Sequence, residues 1–541
     1  MMEKIEKKMK EDLTERYLNL GAQITAVFVL FIFTVFILAF SKEYYRDIMY
    51  VKYRLYYVST IAMVVAFLIM VVGFLLKEYK EKKSIGVKIG FCKHSFKEFL
   101  KMIPTPLLAM IIFEIAVVIS TFMSDYFYES FWGNEGRLGG LFLTTLYVVS
   151  SLLISRFLRP KQWYLDAFLF AGVLMCLFGI TDYFQMDILH FQVGIVEEQR
   201  GKFTSTIGNI NSYTAMVGMI FAVAATLFGV EKNGYRTIWY FMVSIIAIAG
   251  LITGLSDNAY LTMGALFAFL PLYLFKNRRG VRRYAVLVAG SLSVSCWIQY
   301  VNIVMPESVL EIGGIFQFII ECDKLLYITA GIWAVIAAWY VIEWKSGELE
   351  TTLSKWPRII WGGIIAIVAL MILFILYDAN VVGHSERYGA VSQYVVFNDE
   401  WGTLRGFVWR IGLEAYNELP ILQKIFGYGP ECFGILTYNI RAESVSNYGV
   451  VYDNAHNEYL QYLVTIGIAG LVAYLAMILL AIKEMLKEGI NKPFVAAAAF
   501  AVICYSFQAV VNLAMPMITP VMWVLLAVGL SGCRKEKNCQ K

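Results

Sequence analysis

The feature that most constrains this chain is the gathering of its apolar residues into blocks of about 20, the length of helix needed to cross a bilayer. About fourteen such blocks are readable by that criterion. They centre near Leu30, Val65, Phe113, Tyr147, Leu174, Val223, Ile246, Phe267, Leu292, Val335, Val368, Leu471, Val502 and Leu525. Only 16% of residues are charged and 59% are hydrophobic, whereas a soluble protein carries about a quarter charged residues. The expected fold is an all-α polytopic membrane protein of about fourteen transmembrane helices. The run from Ala22 to Phe40 is too long for the apolar region of a cleavable signal peptide, and no small-residue cleavage site follows it.

The net charge of +5 is small, but its distribution predicts an orientation. Lys4, Lys7, Lys8, Lys10 and Arg16 precede the first block. Lys77, Lys80, Lys82, Lys83, Lys88, Lys93, Lys97 and Lys101 follow the second. Arg156, Arg159 and Lys161 follow the fourth, Lys232 and Arg236 the sixth, and Lys276, Arg278, Arg279, Arg282 and Arg283 the eighth. Lys345, Lys355 and Arg358 follow the tenth, Lys483, Lys487 and Lys492 the twelfth, and Arg534, Lys535 and Lys537 the last. If the blocks alternate in direction, all these loops share one side, which is the cytoplasmic one, and both termini lie there. The loop after the first block, with Lys42, Arg46, Lys52 and Arg54, is the exception.

The outer loops then include Ser124 to Gly136, Gln185 to Thr206, a tight turn at Ser256 to Asn258, and Val304 to Asp323. The longest runs from about Asn380 to Ala455, between the eleventh and twelfth blocks, and is expected to be partly helical. A long structured loop of this kind is usually functional. The predicted organisation is 1–123 for the N-terminal spans and a basic loop, 124–378 for a central membrane domain, 379–455 for the large outer loop, and 456–541 for the C-terminal spans.

Within the large loop three segments carry chemistry. The first runs from Phe397 to Arg410 and holds Trp401, Arg405, Trp409 and Arg410. The second is Phe426-Gly427-Tyr428-Gly429-Pro430-Glu431-Cys432-Phe433. The third, Asp453-Asn454-Ala455-His456-Asn457-Glu458-Tyr459-Leu460, leads into an apolar block. His456 is one of four histidines. Imidazole titrates near neutrality and suits general acid–base work, and a histidine at a helix end also serves to cap a loop. Arg405 and Arg410 have the guanidinium fork that grips phosphate or carboxylate, or they meet lipid headgroups. Trp401, Trp409 and Tyr428 either stack on sugar rings or form an interfacial belt. Gly427-Tyr428-Gly429 lacks the third glycine and the strand–helix setting of a nucleotide loop, and makes a turn.

A second outer segment, Glu198 to Asn211, places Arg200 and Lys202 beside Asn209 and Asn211 just before a block. An anionic headgroup suits it, and so does a plain helix cap at either asparagine. Glu114, Asp166 and Asp182 are ionisable groups inside apolar blocks, where such groups are often functional or else bonded to a neighbouring helix. Eight cysteines show no metal-binding spacing. Cys322 and Cys432 fall outside the blocks, close enough in kind to consider a disulfide. No metal site, nucleotide loop or nucleic-acid motif is present in the sequence.

Taken together these pieces resemble the O-antigen ligase and polymerase superfamily of bacterial membrane glycosyltransferases. The likeness runs from about Ser124 to the last block. It rests on Trp132-Gly133-Asn134-Glu135-Gly136-Arg137-Leu138-Gly139-Gly140, on Arg200 with Gly208-Asn209-Ile210-Asn211, and on Arg405-Gly406-Phe407-Val408-Trp409-Arg410. It continues through Gly427-Tyr428-Gly429-Pro430 and His456-Asn457-Glu458-Tyr459-Leu460 to Gly467-Ile468-Ala469-Gly470-Leu471. The resemblance implies a GT-C-like helical membrane fold. It implies an undecaprenyl diphosphate-linked glycan donor, a glycan, lipid or protein acceptor, contact with membrane lipids, and no cofactor, metal or nucleic acid. It implies that His456 is the base that draws the proton from the acceptor hydroxyl. Arg200 would hold the diphosphate, with Arg137, Arg405, Arg410, Asn209, Asn211, Asp257 and Asn457 as further substrate-binding residues. The expected location is the bacterial cytoplasmic membrane, with chemistry at its outer face.

One departure from the family pattern stands out. The family usually carries an arginine after a serine in the short outer turn, with leucine four residues on. Here the turn reads Ser256-Asp257-Asn258-Ala259-Tyr260-Leu261. A carboxylate does not grip a diphosphate unaided. Either Arg405 or Arg410 supplies the cation, or the donor and acceptor differ from those of the ligases. Two other functions fit a polytopic chain: oligosaccharide transfer to protein, and a secondary transporter or lipid-linked glycan flippase. The transporter predicts inverted repeats and charges at mid-membrane.

Overall fold

A computed structural model describes residues 2–82, 103–346 and 351–534. The basic residues Lys83, Lys88, Lys93, Lys97, Lys101, Lys535 and Lys537 lie outside the described residues. Each expected apolar centre falls in a helix. Among the described residues ten helices are long and apolar enough to cross a membrane: α1 Glu15–Leu38, α2 Ile48–Lys77, α3 Thr105–Met123, α5 Gln162–Tyr183, α6 Ile210–Val230, α7 Gly234–Thr253, α9 Arg278–Val304, α10 Leu325–Ser346, α11 Trp356–Val382 and α12 Gly467–Glu488. Four shorter apolar helices complete the series: α4 Leu141–Phe157, α8 Asn258–Leu274, α13 Pro493–Gln508 and α14 Thr519–Gly532. In lipid every backbone polar group must be satisfied within the chain, and a helix does this segment by segment. The one described sheet is a two-stranded antiparallel hairpin, Phe203–Thr204 with Gly208–Asn209. The protein is an all-α, multi-pass membrane protein.

Helix α6 is the centre of the bundle, packed against α7, α8 and α13. Its Ala215, Gly218, Ala222, Ala224, Ala225 and Gly229, and the Ala496–Ala499 run of α13, are buried small residues. Apolar surface gives no driving force between helices in lipid, so close backbone approach through small side chains supplies the packing. A Cβ at Gly218 would lie 2.3 Å from Thr262 of α8. At the other extreme, α11 buries none of its apolar window and is tied to the bundle by Trp361, whose Nε1 donates to the Ala268 carbonyl at 2.8 Å.

The three ionisable groups of the apolar blocks are all partnered. Asp166 pairs with Arg236 and accepts from Tyr240 at 2.7 Å. Glu114 accepts from Thr145 of α4. Asp182 ends α5 and accepts from Ser205 N at 2.6 Å, Thr204 Oγ1 at 3.1 Å and Tyr45 at 3.3 Å, so it anchors the outer hairpin. A buried pair that the sequence did not suggest joins Arg282 of α9 to Glu343 of α10.

The large loop between α11 and α12 folds as helices, among them Trp401–Glu418, Ile421–Phe426, Phe433–Leu436 and Arg441–Tyr448. It has a small core of its own. Phe407, Val408, Ile411 and Phe433 pack with Ala455, Leu460 and Val464 at the head of the helix Glu458–Thr465. Gly427-Tyr428-Gly429 makes the expected turn. Tyr428 N and Gly429 N donate to the Val464 and Thr465 carbonyls at 3.1 and 2.9 Å, and Gly427 is required there, since a Cβ would lie 2.2 Å from the Thr465 oxygen. Cys322 and Cys432 are both free, so the disulfide considered from sequence does not form. Cys432 is buried, with its Sγ 3.3 Å from Ser130 Oγ.

Candidate functional site

His456 sits where the outer loop turns into the helix Glu458–Thr465. Its backbone is left-handed, φ 48°, a conformation that costs a non-glycine residue roughly 1–3 kcal/mol and clusters at functional sites. The neighbours hold it there. His456 N donates to Asn454 Oδ1 at 2.9 Å, Ala455 N to Gln461 Oε1 at 3.1 Å, and Trp409 Nε1 to the Ala455 carbonyl at 3.0 Å. The capping role falls to Asn457, whose Oδ1 accepts from Tyr459 N and Leu460 N at 3.0 and 3.1 Å. That cap is worth ~1 kcal/mol to the helix. The imidazole is thereby left for other work. Its ring meets the Tyr452 ring edge to face at 5.9 Å.

Two cations and one carboxylate lie within electrostatic range of the imidazole. Burial lowers its pKa to about 4, with the Arg137 and Arg405 guanidinium groups adding to the effect and Asp453 opposing it. His456 is therefore neutral at physiological pH, the form that accepts a proton.

Arg405 comes from the loop segment after Gly402, Thr403 and Leu404, three consecutive residues with positive φ. The regular turns begin beyond them, and that kink aims Arg405 at the bundle. Its Nε donates to the Val511 carbonyl at 3.0 Å and its Nη1 to the Gly402 carbonyl at 2.6 Å. Burial lowers its pKa, and the Asp257 carboxylate opposes that shift. Asp257 is thus near enough for its charge to act on Arg405. Next to it, Ser256 Oγ donates to Asn211 Oδ1 at 2.6 Å, and Asn512 Nδ2, one residue beyond Val511, donates to the Asn211 carbonyl at 3.3 Å. One continuous set of contacts joins Asn211, the Ser256–Asp257 turn, the Val511–Asn512 turn and Arg405.

Arg137 reaches the same centre from the first outer loop. Its Nη2 lies 3.2 Å from Asp453 Oδ1. The glycines around it are explained by close approach. A Cβ at Gly136 would lie 2.9 Å from Asp453 Oδ2, and one at Gly139 2.6 Å from Glu431 Oε1. Asn134 Nδ2 donates to Glu431 Oε2 at 3.3 Å. Burial raises the Glu431 pKa to about 7, with Arg137 opposing and Asp453 adding. Sequence reading had not singled out Glu431 or Asp453. The signal lay in the repeated glycines of the partner loop, which only show their purpose once the two loops meet.

The remaining sequence-derived residues are placed elsewhere. Arg200 lines a cavity of about 210 Å3 with Asp182, Gln192, Gly254 and Leu255, the last two leading into the Ser256–Asp257 turn. Asn209 caps α6, its Oδ1 accepting from Asn211 N at 2.9 Å and Ser212 N at 3.3 Å. Arg410 grips Asp399 with two hydrogen bonds of 2.9 and 2.8 Å, and meets Glu414 at 3.3 Å and Glu443 at 3.8 Å. Its fork is occupied inside its own loop. Trp401 and Trp409 pack on each other, 5.1 Å between ring centres, and Trp401 Nε1 donates to the Tyr394 carbonyl at 3.0 Å. They brace the loop. Among the described residues there is no group of three or more His, Cys, Asp and Glu side chains that could hold a metal ion.

Residues 324–475 match the family model of the O-antigen ligases. That match covers part of the chain and supports an O-antigen ligase and polymerase type of assignment. The matched segment runs from α10 through the whole large loop into α12, and it includes Arg405, Glu431, Asp453 and His456. Arg137, Arg200, Asn211 and Asp257 lie outside it, so the O-antigen ligase segment meets its partners only in three dimensions. The match supports a glycosyltransferase type of membrane protein in polysaccharide biosynthesis. A search of curated proteins finds no match.

Proposed function

We propose that this protein transfers or polymerises glycan from an undecaprenyl diphosphate-linked donor at the outer face of the bacterial cytoplasmic membrane, with His456 as the base. The observation that carries this reading is the His456 imidazole, fixed in place by the Asn454 and Trp409 contacts around it, with Arg137 tied to the neighbouring Asp453 at 3.2 Å and the Arg137 and Arg405 charges both acting on it. The proposed step is a displacement. The acceptor oxygen bonds to the anomeric carbon and gives its proton to His456. The bond from that carbon to the diphosphate breaks, and its electron pair leaves with the polyprenyl diphosphate. The charge that develops there is met by fixed cations.

Arg405 supplies the cation that the family places in the turn, held by the Val511 and Gly402 carbonyls and within electrostatic range of Asp257. Arg200, whose cavity leads into that turn, is the second phosphate ligand. Diphosphate on Arg405 offsets part of the positive field that adds to the burial effect on His456, so donor binding strengthens the base. The alternation of basic loops, which places the large loop and His456 opposite the Lys- and Arg-rich side, supports the outer-face assignment. An activated donor needs no nucleotide. Deleting the protein should leave lipid-linked glycan accumulated in the membrane; an unchanged precursor pool and surface glycan would remove the reading.

A further inference from the structure

A second cavity, of about 490 Å3, opens between the first outer loop and the large loop. This is within the ~300–1,000 Å3 range of small-molecule sites. Its walls include Tyr128, Glu129, Glu431, Tyr438, Tyr452 and Asp453. Two of these belong equally to the surroundings of His456: Tyr452 through its ring contact and Asp453 through its charge. The cavity therefore opens beside the base.

Its charge is opposite to that of the arginine side. Among the described residues Glu129, Glu135, Glu431 and Asp453 line it and no lysine or arginine does, Arg137 reaching it only through its pairing with Asp453. A diphosphate placed there would meet like charge, which costs affinity and excludes it. Carboxylates are hydrogen-bond acceptors in their ionised form, so they select a ligand rich in donors. The tyrosines add broad amphipathic faces and hydroxyls. The walls are also held under strain. Glu431 has φ 59° and Leu138, beside Arg137, has φ 60°, and both carboxylates rest on glycines that leave no room for a Cβ. Backbone strain of this kind persists where the surrounding structure fixes a working geometry.

We propose that this cavity binds the sugar acceptor, a pyranose presenting neutral hydroxyls, and sets one of them against His456. The inference rests on the glycosyltransferase reading and adds to it the place and class of the acceptor. Donor and acceptor are then sorted by charge, diphosphate to the arginines and hydroxyls to the carboxylates, with the base between them.

The test separates donor binding from transfer. Full-length protein in detergent would be titrated with undecaprenyl diphosphate, and the same variants would be scored for surface glycan in deletion cells at equal membrane abundance. The double variant Glu129→Gln/Tyr438→Ala should bind undecaprenyl diphosphate within about twofold of wild type yet lose transferred glycan by about tenfold, the effect expected when hydrogen bonds to a polar ligand are removed. If that variant does not accumulate in the membrane, Glu431→Gln, which keeps the side-chain volume, carries the same expectation. Full glycan with either folded variant would overturn the assignment. So would equal loss of undecaprenyl diphosphate binding, which would make the cavity part of the donor site. If wild type binds no undecaprenyl diphosphate and deletion leaves surface glycan unchanged, the glycosyltransferase reading itself fails and the acceptor site with it.

Discussion

Arg137 Nη2 lies 3.2 Å from Asp453 Oδ1, joining two outer loops that are 316 residues apart in sequence. The pair does more than tie loops together, because both partners act on the His456 imidazole with opposite sign. Asp453→Asn should keep the fold and reduce transfer, since the tie is loosened and Arg137 is left uncompensated. The pair is partly exposed, so its stability contribution is small, about 1 kcal/mol or less. Exchanging the charges, Arg137→Asp with Asp453→Arg, should restore thermal stability but not activity. Recovery of both would reduce the pair to a loop clamp.

Arg405 and Asp257 make the next prediction. Asp257 competes with any phosphate for the buried guanidinium. Asp257→Asn should therefore tighten undecaprenyl diphosphate binding, by about threefold to tenfold at low salt, while Arg405→Ala should weaken it by about tenfold or more, ~1.4 kcal/mol. A titration of the three proteins checks both directions at once. Unchanged affinity in both variants would place the diphosphate away from this turn.

Arg200 is exposed and lines a cavity outside the packed spans. Arg200→Ala should leave the melting temperature unchanged and lower undecaprenyl diphosphate affinity. A folded variant with full affinity would remove Arg200 from the donor site.

How much of this could be read from the chain depends on the range of the interaction. The apolar blocks are local, and each expected centre lies in a helix. The cap at Asn209 and the turn at Gly427 to Gly429 are also local, and the structure shows both. The loop-to-loop contacts are not. Glu431 looked like part of a turn, and its role beside Gly139 depends on a glycine in another loop. Arg405 and Arg410 looked equivalent because their difference lies in a kink at Gly402 to Leu404 and in the carboxylates that occupy Arg410. The Cys322–Cys432 disulfide was open on sequence because burial of Cys432 against Ser130 is invisible there.

The pH dependence follows from His456. Its folded-state pKa, about 4, is below the ordinary imidazole value, so protonation favours the unfolded loop. This contributes nothing above pH ~6.5 and destabilises the folded state progressively as pH falls from ~6.5 towards 4. The kcat/KM profile, which reports the free enzyme, should show its His456 limb near pH 4 and none near 6.5. An acid limb near 6.5 that disappears in His456→Gln would show the imidazole to be solvated and uncaged.

The central claim is that His456 is the base. The most direct measurement is rescue of a deletion strain, with surface glycan and lipid-linked precursor profiled together. Wild type and His456→Ala would be restored at equal membrane abundance. The account predicts that wild type restores polymerised or attached glycan and that His456→Ala leaves precursor accumulated, with transfer reduced by about 100-fold or more, as expected for loss of a general base. Full rescue by His456→Ala would contradict it.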